Sequence, residues 1–124
     1  FREEFRPFAP AVLEENQKDY FEINQESPYM LIACKIKKGV KKKLQATVHV
    51  DDTCRVQTVN KKYNKRFYSL IKKFYEKTNI PVLLNTSFNI KGQPIVNSPN
   101  DAVECFLKYK IDYLVINDFI ITKN

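Results

Sequence analysis

No apolar run in this sequence approaches the roughly 18 residues that a membrane-spanning helix requires, and no signal peptide opens it. The expectation is a protein of the cytoplasm with no membrane partner. The chain starts at Phe1-Arg2 with no initiator methionine, which reads as a piece of a longer polypeptide. Cysteine is scarce: Cys34, Cys54 and Cys105 stand far apart and none forms a CxxC pair, so neither a zinc ribbon nor a redox motif is supported. Reduced, partly buried thiols are the plain expectation. Histidine is scarcer still, with His49 alone, and one histidine among scattered acids makes a poor metal site. No metal is expected in this chain.

What the chain does have suits one globular domain spanning residues 1–124. Hydrophobic residues make up 44% and aromatics 13%, which argues against disorder. A chain of this length buries roughly two-thirds of its unfolded surface, enough for a core without disulfides. The net charge of +7 is unevenly spread. Residues 1–34 carry 3 basic against 7 acidic groups, residues 35–77 carry 14 against 3, and the remainder balances at 4 against 4. The middle third therefore attracts polyanions, whether nucleotide, phosphate ester or nucleic acid.

The opening segment, residues 2–10, has two prolines and reads as extended. A short helix is expected over residues 14–21. Residues 29–37 alternate, with Met30, Ile32, Cys34 and Ile36 on one face, and predict a strand. Residues 46–50 and 53–59 are β-branched and straddle Asp51-Asp52, predicting two short strands or one bent strand. The clearest helix spans about 64–77, where Phe67, Leu70, Ile71 and Phe74 recur at helical spacing. Val82-Leu83-Leu84 suits a strand covered on both faces. Ser98 caps a further helix with Pro99 at its first position and with Ala102, Val103, Phe106 and Leu107 buried. Residues 113–116 and 119–122, joined by Asn117-Asp118, predict a hairpin. The fold class expected is α/β or α+β.

Three constellations could carry chemistry. In Asn85-Thr86-Ser87-Phe88-Asn89, a buried-strand signature runs straight into polar residues whose amides and hydroxyls can converge on an anion. The alternative is a turn whose side chains satisfy local backbone groups. Arg2 and Arg6 offer flat forks of donors that match phosphate or carboxylate oxygens, or else pair with nearby acids. His49 and Asp51, alternate residues of an extended segment, share a face beside Arg55 and could steer a proton. A structural His49 bonded to the backbone is the competing reading. The lysine run from Lys35 to Lys43 has no aromatic interleaving and matches no RRM, KH or zinc-finger pattern, so it reads as a solvated hairpin end.

Taken in order, Arg2-Glu3-Glu4-Phe5-Arg6-Pro7-Phe8-Ala9-Pro10, Glu26-Ser27-Pro28-Tyr29-Met30, His49-Val50-Asp51, Arg55-Val56-Gln57-Thr58-Val59, Phe67-Tyr68, residues 81–89 and Pro94-Ile95-Val96 resemble one family. It is the C-terminal region of the NodU/CmcH carbamoyltransferases, which modify nodulation factors and antibiotics. The resemblance covers essentially the whole chain in one order. It implies a YrdC-like twisted mixed β-sheet with flanking helices. It also implies an N-terminal transferase domain of the same polypeptide, ASKHA-type, similar to the tRNA-threonylcarbamoyladenosine transferase and holding iron. In that family the C-terminal domain takes ATP and carbamoyl phosphate, and Mg²⁺ is expected with ATP by general analogy with nucleotide chemistry. It forms a carbamoyl-adenylate that passes to the other domain.

Carried over residue by residue, the resemblance implies that Arg2, Arg6 and Arg55 hold carbamoyl phosphate or nucleotide phosphates. Asn85, Thr86, Ser87 and Asn89 stand where YrdC proteins have a Ser-Ala-Asn type loop and would contact the nucleotide or carbamoyl group. His49 and Asp51 match a His-Val-Asp motif. The family pattern has Gly and Ala where this chain has Asp52 and Cys54, and Glu where it has Gln93. Two other readings compete: a non-catalytic nucleotide- or RNA-binding module, and a packing domain that completes the transferase site.

Overall fold

The computed structural model describes residues 8–123. Arg2 and Arg6 lie outside the described residues. The chain divides into two compact units, one running up to Thr86 and the other from Ser87 onward.

The first unit is built on β1 (Ala9–Leu13), the middle strand of a mixed three-stranded sheet. A 3₁₀ turn, Glu14–Asn16, and the single-turn α1 (Gln17–Tyr20) follow it. Next come β2 (Ala33–Lys35), β3 (Thr53–Arg55), β4 (Gln57–Val59), α2 (Lys65–Thr78) and β5 (Val82–Asn85). β4 lies parallel to β1, and β5 lies antiparallel to its other edge. Pro10 sits just ahead of the β4 register, where β1 has a neighbour on one side only, and this is the sheet position that proline tolerates. β2 and β3 form a separate antiparallel ladder. Since β3 and β4 are divided by Val56 alone, residues 53–59 act as one bent strand that serves two sheets.

Pleat alternation gives the central sheet two different faces. Val12 and Val82 pack with Phe21, Cys34, Ile36, Cys54 and Val56 on one side. Ala11, Leu13, Val59 and Ile71 form the other cluster, with Phe67, Tyr68 and Tyr75 of α2 against it. α2 begins where the Asn64 side chain accepts from the Phe67 amide at 3.3 Å, and it ends at Asn79, whose φ of 56° makes the left-handed cap.

Several expectations need correction. Residues 45–50 form no strand: Thr47 Oγ1 donates to the Leu44 carbonyl at 2.8 Å, closing a 3₁₀ turn at Gln45–Thr47 instead. The strand expected over 29–37 is trimmed to Ala33–Lys35, because Met30 turns with φ 57°. β5 is an edge strand, not one covered on both faces, and Leu84 is 46% exposed.

The second unit holds α3 (Pro99–Lys108) and the hairpin β6 (Tyr113–Ile116) and β7 (Phe119–Thr122). Ser98 caps α3 in a full capping box with Asp101. Asn117, with φ 52°, turns the hairpin. Ala102, Phe106 and Leu114 form its core, with Phe88, Val96, Ile116 and Ile121 packed around them. Leu107, expected inside, is exposed. The mixture of small sheets and helices is that of an α+β fold.

Candidate functional site

Arg55 ends β3 on the solvent side. Cys34 and Cys54 face each other across the β2–β3 ladder and point into the core. Alternation therefore puts Ala33, Lys35, Thr53 and Arg55 together on the outer face. Arg55 stands opposite Ala33, and Lys35 stands opposite Thr53, so the two cations are diagonal neighbours at roughly 7–8 Å between backbones. Among the described residues no acceptor is bonded to the Arg55 guanidinium. Lys35 is a residue that sequence reasoning missed; its position two residues before Lys37 made it read as part of a solvated run. Its alternation with buried Cys34 and Ile36 was the signal.

His49 and Asp51 do come together, but not by strand alternation. The Asp52 amide donates to the His49 carbonyl at 3.1 Å and the His49 amide to the Thr53 carbonyl at 2.8 Å, which closes a tight turn. Asp52 takes φ 66° in that turn and pairs with Lys41. Asp51 Oδ1 accepts from the Thr53 hydroxyl at 2.6 Å and from the Thr53 amide at 2.9 Å. The Thr53 hydroxyl, above all, holds the Asp51 carboxyl below its ordinary range. His49 Nδ1 lies 3.4 Å from the same Asp51 oxygen, near enough for attraction, but it is buried without an aligned hydrogen bond among the described residues.

Asn85 ends β5. Its Nδ2 donates to Gln57 Oε1 at 2.7 Å, and Gln57 Nε2 donates on to the Pro28 carbonyl at 3.1 Å. Gln57 and Asn85 lie on opposite outer strands and meet over β1, which presents only the small Ala9 and Ala11 between them. The Asn85 amide thus ties β4 to β5 and fixes the start of the loop. Beyond it, Thr86 and Ser87 are exposed. Asn89 spends its amide donors inside the loop, on the Ile90 carbonyl at 3.1 Å and the Gln93 carbonyl at 3.2 Å. The Gln93 amide closes the same turn on Ile90, with Gly92 at φ 83°. Asn89 therefore shapes the loop, and its amide oxygen remains for a ligand.

A cleft of about 430 Å³ lies among Glu14, Glu15, Gln17, Lys18, Asn60, Lys61 and Tyr68. Its carboxylates are already engaged, Glu14 by Asn60 Nδ2 at 2.8 Å and Glu15 by the Tyr68 hydroxyl. It shares no residue with the constellations above, and its acids disfavour an anion. The described residues contain no group of three or more metal-ligating side chains. No helix among them is long and apolar enough to cross a membrane.

Comparison with known proteins gives the arrangement its context. The family model "Carbamoyltransferase C-terminus" matches residues 1–123. An uncharacterised protein of Synechocystis sp. is 43% identical over 99% of this chain, which covers 23% of that protein. Nodulation protein NolNO of Sinorhizobium fredii is 42% identical over 98% of the chain and 18% of its own length. Nodulation protein NolO of Bradyrhizobium diazoefficiens is 40% identical over 98% of the chain and 23% of its own length. The chain spans about a fifth of the length of these relatives. With nearly every residue inside one family's pattern, the chain belongs to the carbamoyltransferase C-terminus family.

Proposed function

We propose that this chain is part of an O-carbamoyltransferase and that it binds carbamoyl phosphate and ATP for the formation of a carbamoyl-adenylate. An N-terminal domain of the same polypeptide would then transfer the carbamoyl group to a hydroxyl acceptor, and the iron belongs to that domain. The observation that carries the reading is Arg55. It is an exposed guanidinium with no acceptor among the described residues, beside Lys35, in a chain of this family. A guanidinium fork matches phosphate oxygens two at a time, and Lys35 adds a point charge beside it.

The catalytic set is Arg55, His49 and Asp51, with Arg2, Arg6, Asn85, Thr86, Ser87 and Asn89 on the ligands. A histidine whose Nδ1 faces a carboxylate keeps its other nitrogen for a substrate. Arg55 would stabilise charge that develops on the phosphate as the carbamoyl oxygen is oriented towards it. Magnesium is expected to arrive on the nucleotide phosphates. Arriving with ATP, the ion would neutralise phosphate charge.

Calorimetric titration of the protein with carbamoyl phosphate and with ATP tests this. Arg55→Ala is expected to weaken carbamoyl phosphate binding about 10- to 100-fold, the value of one charge-assisted hydrogen-bond pair. Unchanged affinity, or no affinity in the parent protein, would overturn the assignment. The exposed lysines Lys37, Lys38, Lys41, Lys42 and Lys43 favour a second reading as an RNA-binding module. Steeply salt-dependent tRNA binding with no ATP binding would decide for it.

A further inference from the structure

We propose that Cys34 and Cys54 form a peroxide-sensitive dithiol that closes to a disulfide across β2 and β3, next to Arg55. The two residues are direct partners in the antiparallel register. All three cysteines are free, and the Cys34 and Cys54 sulfurs lie 4.0 Å apart in the core. Opposed residues of an antiparallel pair hold their α-carbons about 4.5–5.5 Å apart, inside the roughly 4.4–6.8 Å span of disulfides. Side-chain rotation has only to bring the sulfurs about 2 Å closer. Cys105 sits on α3, away in sequence and without a cysteine partner among the described residues. Nothing in the sequence pattern marks the pair, because the two thiols are brought together by strand register and not by a CxxC turn.

The two thiols share one hydrogen-bonded environment. The Cys54 thiol donates to the Cys34 carbonyl at 3.7 Å, and across the 4.0 Å gap between the sulfurs either thiol can be the donor. The hydrogen bond between the sulfurs holds the Cys34 thiol below its ordinary pKa and pushes Cys54 up. The Cys34 thiolate attacks one oxygen of hydrogen peroxide; the O–O bond breaks and hydroxide leaves, giving a sulfenic acid. The Cys54 sulfur then attacks the Cys34 sulfur, the S–O bond breaks, and a second hydroxide leaves. The two thiol protons complete two waters, so two electrons pass from the thiols to one peroxide. Both sulfurs are buried, and the ladder covering them is only three residues on each strand. Local opening of so short a ladder admits a small oxidant. Once closed, the bond fixes β3 to β2 at the residue preceding Arg55.

The test is mass spectrometry of the intact protein and of its non-reduced tryptic peptides after hydrogen peroxide treatment. The expected product has lost two hydrogens, links the peptide of residues 19–35 to that of residues 44–55, and reverts with dithiothreitol. Cys54→Ala and Cys34→Ala should each abolish the linked peptide. In Cys54→Ala, Cys34 should proceed instead to sulfinic and sulfonic acids. Separate peptides in the parent protein, or a bridge involving Cys105, would overturn the proposal. The readout is covalent mass, so it stands or falls independently of what Arg55 binds.

Discussion

Asp52 occupies a backbone position that suits glycine, at φ 66° in the turn that joins His49 to Asp51. An L side chain in that region costs about 1–2 kcal/mol, somewhat less for aspartate, which bonds locally. Glycine would relieve the strain but adds about 0.5–1 kcal/mol of unfolded-chain entropy. The Lys41 ion pair lost with Asp52 has both side chains about half exposed and contributes at most about 0.5 kcal/mol. These contributions nearly cancel, so Asp52→Gly is expected to shift stability by less than about 1 kcal/mol, whereas the β-branched Asp52→Val should lose about 1 kcal/mol or more. Urea midpoints of the two variants check this. The family resemblance implies glycine at position 52, and the φ of Asp52 is one that glycine suits. The sequence paired His49 with Asp51, though for the wrong reason, since a turn rather than a pleat joins them. The carbonyls of Ile90 and Gln93 take the donors of Asn89, a local partnership that no sequence pattern displays.

At the scale of elements, α2 shows what periodicity reveals and what it leaves out. Spacing located the helix almost to the residue, and in the structure Asn64 and Asn79 cap its two ends. The apolar stripe was placed on Phe67, Leu70, Ile71 and Phe74. The face that packs is Phe67, Tyr68, Ile71 and Tyr75, rotated because two tyrosines supply apolar area while Leu70 is 58% exposed. Ile71 is wholly buried against Ala11, Leu13 and Val59. Ile71→Ala is expected to cost about 2–5 kcal/mol, through lost transfer energy and a cavity. Leu70→Ala, at the neighbouring position, should cost less than about 1 kcal/mol. Chemical denaturation of the pair distinguishes the two faces, and equal losses would contradict the packing. The β6–β7 hairpin was legible for a similar reason: its register is set by a two-residue turn within the element itself. The central sheet was not legible. Its pairs join Ala11 to Gln57 and Ala9 to Asn85, and no local pattern encodes partners so distant along the chain.

Charge is the property of the whole molecule most directly readable from sequence, since it needs only addition, and it sets the response to acid. At neutral pH the chain already carries +7, so each carboxylate that gains a proton adds to self-repulsion. Two carboxylates couple folding to pH beyond that general effect. Asp51 is held below the ordinary value of 3.8 mainly by the Thr53 hydroxyl. Asp101 is held below 3.8 by the Ser98 hydroxyl first and then by backbone amides at the start of α3. For each, the folded pKa lies beneath the unfolded one, so the unfolded chain binds more protons as the pH falls. The stability they contribute is complete above pH 3.8 and is lost as the pH drops through their folded values. Asp51→Asn and Asp101→Asn remove the titrating group while keeping its shape. Both should lower stability at pH 6 and lose less of it between pH 5 and about pH 2.5 than the parent protein does. Urea midpoints at those pH values give the slopes. Parallel slopes for parent and variants would mean that these two hydrogen-bonded carboxylates are not what ties the fold to pH, leaving net charge alone to account for acid unfolding.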